Sequence, residues 1–384
     1  MTLEDLNWLE EHLGSGPALE VVPKTETVDT FRIWSPSQFM TWSEPEGSHL
    51  LLPAYLTRGE LTALIGQGGL GKSRLALFLA VSHILGRDWC GLQTAGGPCT
   101  WLMLGNENGI GRVKADLTGM MLDLGEQERA TVEQHLRVLA VDGDSDLCLS
   151  DLRAFGRLQR TIAEHKPGAV ILDPLANIAA GDISKPGDMR DAVRALLMAC
   201  RAAAPDAAVL LLHHARTGRM NIAQGVGYDA ANFAAGGKAL YSAARAQMNL
   251  MPGASDDDNK LVLSCGKSNN CPRFEPRGLL YDPVRCAYTV DPDFDREAWL
   301  ADVEGRAKPG QSLCTIADVV EAVRDGHTQT ASLVQTLMDS CAVSRATVER
   351  CIKRAVSGEA VNKLSRGHFV LGRKCDKYLK GGQL

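Results

Sequence analysis

At 384 residues the chain has room for two or three domains, one of them large enough for a full α/β core. Its 45% hydrophobic fraction argues against wholesale disorder, and no uninterrupted apolar segment reaches membrane-spanning length. Eleven cysteines without a C-x-x-C pair and nine histidines without H-x-x-x-H spacing argue against a disulfide framework or a zinc site, and point to reduced thiols in a cytoplasm. The formal net charge of −5 is unevenly spread. Residues 308–384 carry 12 Lys and Arg against 7 Asp and Glu, and the rest of the chain carries 29 against 39. An acidic body with a basic end is a cue for nucleic-acid contact.

In chain order, Leu3, Leu6, Leu9 and Leu13 fall on one helical face over residues 2–14. Such a helix packs on its own body or docks on a neighbouring subunit. The first residues are acidic and lack an apolar signal core. Residues 15–35 read as a linker, and 36–58 as an irregular lead-in to a buried strand over Leu61–Ile65. That strand runs into Gly66-Gln67-Gly68-Gly69-Leu70-Gly71-Lys72-Ser73, which fits G-x-x-x-x-G-K-[ST] at every fixed position. A helical stretch beginning at Arg74 follows. Strand, glycine loop and helix are the context this motif needs. The glycines let backbone N–H groups turn inward around a polyphosphate, and the helix N-terminus adds its dipole. Lys72 is expected to reach the β- and γ-phosphates of ATP, and Ser73 to hold Mg²⁺.

A second strand over 99–105 ends in Asn106-Glu107-Asn108, with a helix beyond it that places Val113, Leu117, Met120 and Leu124 on its apolar side. A third strand is predicted over 136–141, a helix over 152–165, and a fourth strand over Ala169–Asp173. A helix over 189–204 then leads to a fifth strand ending in His213-His214. Strands alternating with helices predict a doubly wound, mostly parallel sheet, with ligands beyond the carboxyl ends of the strands. Gly66, Glu107, Asp173 and His214 all fall at such ends. Asp173 is then the acid that supports Mg²⁺. Glu107 can orient the attacking water or merely cap the next helix. His214 can sense the γ-phosphate or be an ordinary core histidine. The two histidines do not suit a shared metal, because neighbouring strand residues point to opposite faces. Residues 215–237 read as a long loop carrying Arg216 and Arg219. A helix over 238–246 and strands near 247–252, 260–266 and 278–282 complete the sheet as antiparallel edge hairpins.

Residues 302–312 read as a boundary linker. Beyond it, helices over 316–324, 331–341 and 344–356 and a hairpin over 360–371 make the pattern of a winged helix. Its third helix would expose Arg345, Arg350, Lys353 and Arg354 to duplex DNA or to a protein partner.

Ile65–Ser73, Trp101–Glu107, Val170–Asp173 and Leu211–Arg216 together resemble the RecA-like ATPases of the RepA type, which include hexameric replicative helicases of plasmids, phages and mobile elements. The resemblance spans roughly residues 45–290. It implies a RecA-like fold, and a phosphate site running from Gly66 through Arg74. It also implies Arg245 as an arginine finger acting on a neighbouring subunit, and Lys267 as the basic residue of a later hairpin that reaches the neighbour's γ-phosphate. Two positions depart from the pattern. Asn108 stands where relatives often carry an acid, and Asn269 where hexameric helicases commonly offer an arginine. The expected organisation is an arm and linker (1–35), a RecA-like ATPase domain (36–301), a linker (302–312) and a winged helix (313–384). The expected activity is ATP hydrolysis with Mg²⁺ in a homo-oligomeric ring, with Arg216 and Arg219 gripping single-stranded DNA in the channel. The alternative is a DNA-binding regulator or loader that uses ATP only as a switch.

Overall fold

The computed structural model describes residues 31–141, 147–149, 152–183, 185–216, 222, 224–235, 238–254, 256–304, 314–341, 345–364 and 367–377. The helix expected over 2–14 and Arg219 lie outside them, as does the side chain of Arg350. The chain divides into two compact units, Met1–Arg296 and Glu297–Leu384.

In the first unit the lead-in is more regular than the sequence suggests. It holds a short helix, Pro36–Thr41, capped by Ser35, and a hairpin of β1 (His49–Leu51) and β2 (Leu56–Thr57). The main sheet comprises β3 (Leu61–Gly66), β4 (Trp101–Gly105), β5 (Leu136–Val138), β6 (Ala169–Asp173), β7 (Ala208–His214), β8 (Ala246–Pro252), β9 (Lys260–Ser268), β10 (Arg277–Asp282) and β11 (Ala287–Val290). Their order across the sheet is β11-β10-β9-β8-β3-β7-β6-β4-β5. Strands β3 to β8 pair in parallel, and β9, β10 and β11 add antiparallel. The fold class is therefore the expected α/β type with a mostly parallel sheet. The antiparallel part begins one strand later than expected, because β8 follows the helix Lys238–Ala243 and so enters parallel to β3.

The central strands are apolar on both faces because both are covered. Leu64, Met103, Ile171 and Leu210 join one cluster with Leu75 and Leu79 of the helix Lys72–Ile84. The alternate residues Ala63, Ile65, Val170, Leu172, Val209 and Leu211 are equally buried. A second group of helices is in mutual contact: Leu152–His165 with Pro186–Ala203, and Pro186–Ala203 with Lys238–Ala243, which also touches β3. The helix after Asn108 spans Ile110–Met120, so Leu124 lies past its end yet is buried, and a further helix, Glu126–His135, precedes β5.

The second unit holds helices Ile316–Arg324, Thr330–Cys341 and Arg345–Ser357, then an antiparallel hairpin of β12 (Val361–Lys363) and β13 (Phe369–Leu371). Val319, Leu333, Leu337, Val348, Ile352 and Phe369 form its own core. Thr315 and Asp318 cap the first of these helices reciprocally. Among the described residues no helix is long and apolar enough to cross a membrane.

Candidate active site

Parallel register brings the four predicted strand ends to one edge of the sheet. Gly66 pairs with His214, and Gly105 with Asp173. Gly105 has a steric reason to be glycine, since a Cβ there would stand 2.8 Å from the Asp173 carbonyl oxygen. In the loop itself Gly69 and Gly71 hold φ of 82° and 81°, the left-handed region that favours glycine. Gly71 caps the helix that starts at Lys72. Lys72 is buried, and its Nζ donates to the Gln67 carbonyl at 3.0 Å and lies 3.5 Å from Nδ1 of His214. Burial lowers its pKa, while Asp173 and Glu107 oppose that shift.

Asp173 is 1% exposed, and neither carboxylate oxygen has a hydrogen-bond partner. Burial pushes its pKa up to about 6. The Ser73 hydroxyl is near enough to favour the carboxylate but falls short of hydrogen-bond geometry; Glu107 adds to the rise and Lys72 counters it. Ser73 Oγ in turn accepts from Asn108 Nδ2 at 3.1 Å. Glu107 is exposed and lines a cleft of about 250 Å³ together with Lys72, Ser73, Asn108, Arg112 and His214. A hydroxyl beside an unpartnered buried carboxylate is the oxygen-donor chemistry a Mg²⁺ ion takes. Among the described residues no group of three His, Cys, Asp or Glu is arranged to hold a metal, so a cation here would complete its shell with phosphate oxygens and water.

The loop's other members divide. Gly68 faces open space, and Leu70 packs against the core. Gln67 Nε2 donates to the Arg216 carbonyl at 3.4 Å, and Ala215 N donates to the Gly66 carbonyl at 2.9 Å, so the segment after His214 is tied to the glycine loop. His213 is fully buried and hydrogen-bonds the Ala235 carbonyl through Nε2; burial pushes its pKa down to about 4. Arg74 lies over the Tyr281 ring at 4.5 Å and donates to Asp116 at 3.0 Å. Asp116 also accepts from Arg112 at 3.1 Å. Sequence reasoning passed over Arg112 and Asp116, and met Asn108 only as a departure from a pattern. The i,i+4 spacing of Arg112 and Asp116 was the available signal.

Arg245 and Lys267 are not in this cleft. Arg245 N donates to the Leu61 carbonyl, at the opposite end of β3 from Gly66, about 16 Å along the strand. Lys267 sits near it, donating to the Tyr241 carbonyl at 2.6 Å and lying over the Tyr241 ring, and Arg245 helps to lower its pKa after burial. In the second unit Arg345, Lys353 and Arg354 are exposed on the helix Arg345–Ser357, with Arg345 paired to Glu349.

No curated protein matches the chain. Similar solved structures include an isolated ATPase domain, at 12% identity and a TM-score of 0.41 over 60% of this chain and 85% of that one. A KaiC-like protein from the hyperthermophilic archaeon Pyrococcus horikoshii OT3 aligns at 13% identity and a TM-score of 0.43, over 63% of this chain and 94% of that one. The model of the AAA domain family matches residues 27–220, half of the chain, including the glycine loop, Glu107, Asp173 and His214. The chain belongs to this family of P-loop nucleotide hydrolases.

Proposed function

We propose that the protein is a Mg²⁺-dependent ATPase with a RecA-like core that works at subunit interfaces of a homo-oligomeric, hexameric ring and couples hydrolysis to movement on DNA. A replicative helicase of a plasmid, phage or integrated element is the role that fits best. The observation that carries the ATPase reading is Asp173, a buried carboxylate with two unpartnered oxygens beside Ser73 and Lys72. Burying such a group charged is costly unless a cation answers it.

Lys72 and the N–H groups of the loop hold the β- and γ-phosphates, while Ser73 and Asp173 hold the metal. Magnesium, when bound, neutralises charge on the phosphate oxygens. Glu107 orients the attacking water and takes its proton. His214 reports the γ-phosphate to Arg216 through the backbone that ties residues 215 and 216 to the glycine loop. The position of Arg245 and Lys267 at the far end of their own strands supports action on a neighbour's nucleotide. Arg216 and Arg219 would grip single-stranded DNA. The three helices and hairpin of the second unit support a winged helix whose Arg345, Arg350, Lys353 and Arg354 contact duplex DNA.

The basic helix also favours a second reading, a DNA-binding regulator or loader switched by ATP. Strand displacement on a forked substrate separates the two. The helicase reading expects ATP-dependent displacement and a nucleotide-dependent rise in mass to a ring, whereas the regulator reading expects ATP-dependent DNA binding with no displacement.

A further inference from the structure

The turn after β4 carries two asparagines around Glu107, and each is tied to a different part of the site. Asn106 Oδ1 accepts from Asn177 Nδ2 at 3.0 Å, in the short helix that follows Asp173 and Pro174. Asn108 Nδ2 donates to Ser73 Oγ at 3.1 Å. A serine hydroxyl has one proton and two lone pairs. With one lone pair taken by Asn108, the proton and the second lone pair remain. The nearest unpartnered acceptor is Asp173, whose two oxygens are both free. Turning the proton toward Asp173 leaves the last lone pair for the cleft.

We propose that Asn108 is a positioning residue that fixes the rotation of the Ser73 hydroxyl and so sets the affinity of the site for Mg²⁺ bound with nucleotide. The proposal rests on the ATPase reading. An amide suits this task and a carboxylate does not. An aspartate at 108 could only accept from Ser73, drawing the proton away from Asp173. It would also add a third carboxylate to a site where Asp173 and Glu107 already act on Lys72. Through the same turn, the hydrogen bond joins Ser73 to the backbone that carries Glu107.

The test compares wild type with Asn108→Ala and Asn108→Leu, the second filling the space without a donor. Binding of fluorescent ADP is measured in excess Mg²⁺ and in EDTA. Loss of one hydrogen bond to the metal-holding hydroxyl should cut the Mg²⁺-dependent gain in affinity about two- to tenfold, with affinity in EDTA unchanged. A folded variant that keeps the wild-type gain overturns the proposal, and so does an equal loss in both conditions, which would make Asn108 merely structural. Wild-type protein that binds no ADP in either condition would overturn the ATPase reading itself, and this proposal with it.

Discussion

Lys72 Nζ lies 3.5 Å from Nδ1 of His214, although 142 residues separate them in the chain. The contact exists because β3 and β7 pair in parallel with Gly66 opposite His214. Its electrostatics have a definite sign. Burial and then Lys72 hold the His214 pKa below the usual 6.5, and Glu107 pulls it back up. His214 is therefore neutral at pH 7, able to accept from Lys72 or to donate to a phosphate from its other nitrogen. In NMR titrations, Lys72→Ala should raise the His214 midpoint and Glu107→Gln should lower it. Shifts of the same sign in both variants would mean that the three groups do not share a site.

Asp173 links the site to stability. Its folded pKa of about 6 stands above the ordinary 3.8, so the folded protein holds a proton that the unfolded chain has released. The stability this proton carries is complete below about pH 4 and is lost as pH rises through 6. In EDTA, Asp173→Asn should therefore stabilise the protein at pH 8 by on the order of 2 kcal/mol and have little effect at pH 4. Mg²⁺ with nucleotide should stabilise wild type but not the variant. An Asp173→Asn protein that melts below wild type at pH 8 in EDTA would contradict the buried, unpartnered carboxylate.

Arg245 offers a test of assembly. An arginine acting across an interface contributes about 10³–10⁵ in rate in related chemistry. Arg245→Ala alone should be inactive, as should Lys72→Ala alone. Mixed rings should regain turnover, because some interfaces then join an intact loop to an intact arginine. Mixing demonstrated by mass without any recovery of turnover would place Arg245 in a purely structural role.

The two sets of basic residues should behave differently toward DNA. Arg216→Ala with Arg219→Ala should abolish stimulation of turnover by single-stranded DNA and leave basal turnover in place. Replacing Arg345, Lys353 and Arg354 by alanine should instead weaken duplex binding and flatten its salt dependence by up to about three units of log–log slope. Unchanged stimulation after the double arginine change would remove the channel reading and favour the regulator.

Much of this was legible in the sequence, for identifiable reasons. Buried parallel strands such as Leu61–Gly66 and Ala169–Asp173 are continuous apolar runs, and each ends in the residue that serves the site. The glycine loop is contiguous, so its spacing alone displays its geometry. What stayed hidden depends on partners distant in sequence or on a weak apolar signal. Asn108 gains its interest only when Ser73 is seen beside it. Arg74 reads as a phosphate ligand until Asp116 and Tyr281 are found holding it. β11 escaped notice because Thr289 and Val290 are exposed, and the helix Glu126–His135 because it buries only Val132.

The most direct measurement is ATP turnover by Glu107→Gln alongside nucleotide binding by the same protein. The substitution keeps size and hydrogen bonding but removes the charge that polarises water. Turnover in Mg²⁺ should fall about 10²–10⁴-fold while ATP binding stays within a few-fold of wild type. Unchanged turnover, or loss of binding together with turnover, would contradict a hydrolytic site built on Lys72, Asp173 and Glu107.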